Sequence, residues 1–109
     1  MRQTKEVKVV VAALEEHKAE DIEVIDVKER TPFADYYILA TAPNARALSA
    51  YPDSLIEALG KAKIDVRQIE GNPESGWVVV DAGQVVVQLF TAPKREEMNL
   101  DSLLATKKN

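Results

Sequence analysis

The stretch that most constrains the fold is WVVVDAGQVVVQLF, Trp77 to Phe90, in which two runs of valine flank a tight turn. β-Branched residues favour strands, and a link this short forces the two strands to run antiparallel. Gly83 supplies the positive φ that a two-residue loop needs. Centred on Ala82-Gly83, the loop sets Asp81 opposite Gln84, Val80 opposite Val85, Val79 opposite Val86, Val78 opposite Val87 and Trp77 opposite Gln88. Side chains alternate between the faces of a strand, so the hairpin sorts into two surfaces. One carries Val78, Val80, Val85, Val87 and Leu89 and is predicted to be core. The other mixes Trp77, Val79, Asp81, Gln84, Val86, Gln88 and Phe90. That mixed face reads either as a sheet surface partly covered by a helix or as a protein-binding surface, because Trp is enriched among the residues that dominate interfaces. A loop of different length would shift one strand by a residue and scramble the sorting.

The rest of the chain supplies the partners for that hairpin. Val7, Val10, Val11 and Leu14 recur at helical spacing between Thr4 and His17. Asp21–Val27 and Asp35–Ala42 read as strands, separated by the loop KERTPF. Asn44 is placed to cap a helix carrying Leu48, Leu55, Leu59 and Ala62 on one side. Pro52 inside that pattern predicts a kink or break between Ser49 and Asp53. Asp65–Glu70 is predicted as a strand, GNPESG as a loop, and KREEMNLDSLL as a C-terminal helical piece with Asn99 capping its last turns. The order α-β-β-α-β-β-β-α predicts an α/β fold with a mixed sheet of about five strands and flanking helices. At 109 residues one domain, 1–109, is expected.

Composition narrows the function. No cysteine means no disulfide framework, thiolate metal site or cysteine nucleophile. No apolar run reaches the ~18 residues of a membrane span, and the N-terminus is unlike a signal peptide, so the cytoplasm is the expected location. A net charge of −4 with no basic stripe argues against direct grip on nucleic acid and suits a basic protein partner. His17, alone of its kind, falls where the first helix should end and reads as a solvated residue favoured by the helix dipole. Two-metal phosphoryl transfer needs carboxylates that converge on one face. Among Asp21, Glu23, Asp26 and Asp35, Glu23 and Asp26 differ in parity, while Asp21 and Glu23 sit at a strand entrance. No metal and no cofactor is expected, and catalysis is not favoured.

AEDIEVIDV, FADYYILATA, IEGNPESGWVVVDAGQVVVQLF and REEMNLDSLL occur in an order that resembles the ribosomal silencing factor family, also called Iojap-like. The resemblance runs from about Leu14 to Leu104. It implies a nucleotidyltransferase-like fold without a catalytic set, and a partner in the fourteenth protein of the large ribosomal subunit. Docked there, such a factor sterically prevents the subunits from joining and represses translation under nutrient limitation. The implied partner-binding residues are Trp77, Val79, Asp81, Val86, Gln88 and Phe90, with Glu70 and Gly71 leading in and Asp35 and Tyr36 matching the family's ADY segment. Three departures stand out: Gln88 where the family usually has histidine, TAPNAR in place of TGxSxR, and Met98 and Leu104 at the positions of a terminal aromatic pattern. A metal-dependent nucleotidyltransferase, a ribosome-assembly factor without silencing activity, and a homodimer that buries the mixed face remain as alternatives.

Overall fold

The computed structural model describes residues 4–98. Helix α1, Lys5–Glu16, begins where the Thr4 side chain accepts a hydrogen bond from the Val7 amide at 3.3 Å, satisfying a free first-turn donor. Its valines are poor helix formers in isolation, but Val7, Val10 and Leu14 are fully buried, so packing outweighs propensity. Strands β1, Glu20–Asp26, and β2, Tyr36–Ala42, follow. Helix α2, Ala45–Lys61, is capped by Asn44, whose side chain accepts from the Ala47 amide at 2.8 Å.

The predicted break at Pro52 does not occur, and α2 is continuous through it. Leu48, Tyr51, Leu55 and Leu59 are buried along one side of the helix while Pro52 stands partly exposed. Proline removes one backbone bond, and at a partly solvated position the burial on the other side outweighs that loss.

Strand β3 spans Gln68–Asn72, three residues later than the sequence predicts at its start, and a 3-10 turn at Pro73–Ser75 leads into β4, Trp77–Asp81. Strand β5, Val85–Thr91, runs directly into helix α3, Ala92–Met98; the predicted cap at Asn99 and the turns after it lie outside the described residues. The five strands form one mixed sheet in the order β1-β2-β5-β4-β3, with β2 and β5 parallel and all other neighbours antiparallel. Helices α1 and α2 pack on one face, against Tyr36, Ile38, Ala40, Val78, Val80, Val85, Val87 and Leu89.

The hairpin register differs from the sequence prediction. Trp77 opposes Phe90, Val78 opposes Leu89, Val79 opposes Gln88, Val80 opposes Val87 and Asp81 opposes Val86. The loop is centred on Gly83-Gln84, closed by the Ala82 amide on the Val85 carbonyl at 2.9 Å. Gly83 has φ 86° and Gln84 is not left-handed, which is the glycine-first hairpin turn. The Asp81 side chain accepts from the Gly83 amide at 2.8 Å and so fixes the glycine in that place. Moving the centre by one residue changes each pairing by two, so every side chain keeps its face.

Candidate protein-binding face

Reading the registers across the sheet builds the face opposite α1 and α2 in rows, because paired residues share a side. The first row is Ile25, Tyr37, Val86, Asp81 and Gln68; the second is Glu23, Leu39, Gln88, Val79 and Glu70; the third is Thr41, Phe90, Trp77 and Asn72. Leu39, Phe90, Thr41 and Gln88 are closed off from solvent. Ile25, Tyr37, Val86, Asp81, Val79 and Trp77 are half-buried, and Gln68 and Glu70 are exposed. The open part of the face is thus a Tyr, Val and Trp surface edged by carboxylates.

Helix α3 lies over the part of the third row that is closed off from solvent, Thr41 and Phe90. It packs on β5 and β2, and Arg95 from its middle reaches across the sheet. The guanidinium donates to the Asp21 carbonyl at 2.5 Å and the Thr41 hydroxyl at 2.9 Å, and pairs with Glu23 at 3.5 Å. A bulge in β1 between Glu20 and Glu23, with Asp21 at φ 49°, turns that carbonyl toward Arg95. Arg95 was not singled out from sequence, since its partners lie more than fifty residues away and no periodicity links them.

Several expected site residues fall elsewhere. Phe90 is fully buried, with its ring stacked on Trp77 at 6.2 Å between centroids and 4° between planes, so Phe90 supports the tryptophan and does not present itself. Gln88 is only 8% exposed. Tyr36 lies on the opposite, helix-covered face at 1% exposure, because it is in phase with Ile38 and Ala40. Its hydroxyl accepts from the Lys28 ammonium at 3.3 Å, and that bond, helped by Asp26, holds the lysine above its ordinary pKa.

Gly71 also points to the helix side, opposite Val78, with φ 97°, and a Cβ there would collide with the Trp77 carbonyl oxygen. Its part is to let β3 approach β4. Asp35 is half-buried and works through its backbone: its amide donates to the Gln84 carbonyl at 2.7 Å and its carbonyl accepts from the Val27 amide at 2.9 Å. Trp77, Val79, Asp81 and Val86 are brought together on the open face as expected from parity, and Glu70, named only through the family resemblance, shares that face.

Two features of the face bear on chemistry. The Trp77 indole N–H is buried and has no hydrogen-bond acceptor among the described residues. The strands contribute Glu23, Glu70 and Asp81 to this face but no lysine or arginine, and only Glu23 is paired with a cation among the described residues. Glu70 instead accepts from the Gln68 amide group at 2.5 Å. Asp21, Glu23, Asp26 and Asp35 do not converge: Asp26 is paired with Tyr36 on the helix-covered side, away from Glu23. Among the described residues no group of three or more His, Asp or Glu side chains is placed to hold a metal ion. No described helix is long and apolar enough to cross a membrane.

Beyond the rows, the loop between β1 and β2 holds Phe33 at 85% exposure. Sequence patterning passed over it, because a single aromatic beside a proline in a charged loop carries no period.

The sequence and the fold are similar to those of known proteins. A family model described as ribosomal silencing factor during starvation matches residues 1–109. The ribosomal silencing factor RsfS of Bacillus subtilis is 31% identical over 103 residues, covering 94% of this chain and 87% of that protein. The solved structure of protein CV0518 from Chromobacterium violaceum superposes with a TM-score of 0.89 at 30% identity, covering 96% of this chain and 88% of that one. The mouse protein named mitochondrial assembly of ribosomal large subunit protein 1 is 28% identical over 101 residues, 90% of this chain and 44% of that protein. With a match along its whole length, this chain belongs to the ribosomal silencing factor family.

Proposed function

We propose that this chain, acting as one domain, is a non-enzymatic cytoplasmic factor that binds the large ribosomal subunit through the open face of its sheet. On this reading the partner is the basic fourteenth protein of that subunit, and the bound factor occupies space the small subunit needs, repressing translation when nutrients are short. The nucleotidyltransferase-like architecture then serves as a scaffold and not as a catalyst. The observation that carries the proposal is the composition of the open face: Trp77 stacked on a buried Phe90, half-exposed Tyr37, Val79 and Val86 around it, and carboxylates with no strand-borne cation. An aromatic anchor ringed by polar groups has the anatomy of an interface core. Asp81 and Glu70, which pair with no cation among the described residues, meet a basic partner with complementary charge.

Co-sedimentation with isolated large subunits, followed by a subunit-joining assay, tests it. Wild type is expected to bind and to lower joining. Trp77→Ala is expected to weaken binding by about 2 kcal/mol or more, roughly thirtyfold, with thermal melting as the folding control. Failure of the wild type to bind large subunits would remove the proposal. Binding without any effect on joining would favour an assembly role, which the mouse relative's name also suggests. Sedimentation of the free protein at several concentrations separates a monomer from a dimer that buries this same face.

A further inference from the structure

Phe33 is the most exposed large apolar side chain among the described residues, at 85%, ahead of Ile69 at 43% and Ile56 at 39%. An isolated exposed apolar residue is ordinary on a loose loop. This loop is not loose. Its first turn is closed by the Arg30 and Thr31 amides, which donate to the Val27 carbonyl at 2.9 and 3.1 Å. The Thr31 hydroxyl accepts from the Phe33 amide itself at 3.1 Å, and Pro32 between them has a fixed φ. At the far root the Asp35 and Tyr36 amides both donate to the Gln84 carbonyl, at 2.7 and 3.1 Å. The backbone that carries the ring is therefore braced, so the ordering cost of the loop is already spent before any partner arrives and only the side chain's own rotamers remain to be fixed.

The bonds to Gln84 fix where the loop stands. They anchor it to the turn of the β4–β5 hairpin, at the end of the sheet where the first row of the open face begins. That row offers half-buried Ile25, Tyr37 and Val86 next to one another, so the apolar surface runs from Trp77 and Val79 toward the loop end. The open face ends in Asp81 and Glu70, neither paired with a cation among the described residues. A basic protein surface is the occupant that fits both features, since it would meet the carboxylates and could receive a projecting ring in an apolar recess at its margin.

We propose that Phe33 is a second aromatic anchor of the docking surface, set at the loop end of the face opposite to Trp77 and inserted into the same basic protein partner. The inference rests on the open face being the ribosome-binding surface and adds a residue that neither parity nor the family motif assigns. Because Phe33 makes so little contact with its own chain, its removal separates binding from folding more cleanly than removal of Trp77.

The test is co-sedimentation of the full chain with isolated large subunits, for wild type, Phe33→Ala, Phe33→Leu and Trp77→Ala. Phe33→Ala is expected to melt like wild type and to bind about tenfold more weakly or worse, while Phe33→Leu retains most of the affinity. Phe33→Ala binding as tightly as wild type, with Trp77→Ala impaired, overturns the second anchor and leaves the docking face standing. A wild type that fails to bind overturns both. A parallel flotation assay with vesicles of phosphatidylglycerol and phosphatidylethanolamine covers the remaining occupant: if Phe33→Ala loses vesicle binding while keeping full subunit binding, Phe33 is a lipid anchor and the inference falls.

Discussion

The two faces of one sheet are built by different rules. Under α1 and α2, the residues that β2, β4 and β5 turn inward are apolar and closed off from solvent, apart from the Tyr36 hydroxyl and the half-buried Thr91 at the end of β5. On the other side, apolar and polar residues share each row, and closure is local: α3 seals Phe90 and Thr41 while Tyr37, Val79 and Val86 stay half-open. The first face is held by area, which is additive and tolerant of detail. The second is held by a few specific ties, chiefly those of Arg95, and so can carry a surface whose composition is free to suit a partner.

Truncating each face is the largest-scale test of that contrast. Ile38→Ala, at a fully buried position between the helices and the sheet centre, is expected to cost about 2–5 kcal/mol in urea unfolding. Val79→Ala, half-open on the other side, is expected to cost about 1 kcal/mol or less while still weakening subunit binding. Similar stability losses for the two would mean that the open face is as much core as its opposite.

Arg95→Ala sharpens the comparison at intermediate scale. The guanidinium satisfies the Asp21 carbonyl and the Thr41 hydroxyl, with its side chain only 13% exposed, so its removal leaves polar groups without a partner. A loss of about 1–3 kcal/mol is expected. Trp77 is the sole tryptophan and stacks on Phe90 of β5, the strand on which α3 packs, so intrinsic fluorescence reports on the surroundings of that ring pair. The emission is expected to move to the red as α3 loosens. An unchanged spectrum would place the closure of this face in apolar packing and not in the arginine.

The contrast also explains what was legible in the sequence. The helix-covered face could be read from parity and period, because Val78, Val80, Val85, Val87 and Leu89 announce it without a polar residue among them. Even the misplaced hairpin centre did no harm, since a displacement by two preserves phase. The open face was legible only within the hairpin. Phe90 looked exposed because its cover comes from residues after Thr91 and from a β1 bulge that no local pattern encodes. Tyr36 was carried to the wrong side by a motif match, although its spacing from Ile38 and Ala40 already put it inward. Phe33 opens the FADYYILATA segment but carries no period, and exposure of a loop tip is decided by the bonds at its roots.

The smallest expected effect compares how each face treats an aromatic with one polar atom. On the open face the Trp77 N–H is buried and unmatched among the described residues; under the helices the Tyr51 hydroxyl donates to the His17 carbonyl at 3.4 Å. Burial, followed by the nearby Glu20 carboxylate, raises the Tyr51 pKa above its ordinary value of 10.0. At neutral pH the phenol is protonated in both the folded and unfolded chain, so the shift contributes nothing to pH dependence there. As pH climbs through the unfolded value, the unfolded chain gives up its proton first and binds fewer protons than the folded one, so stability must fall with rising pH. Tyr51→Phe is expected to cost about 0.5–1 kcal/mol near neutrality for the lost bond and to flatten this alkaline decline. Urea midpoints of both proteins from neutral to alkaline pH read the difference. Parallel curves would mean that the phenol ionises as freely folded as unfolded, and that the helix-covered face is no drier at Tyr51 than the open face is at Trp77.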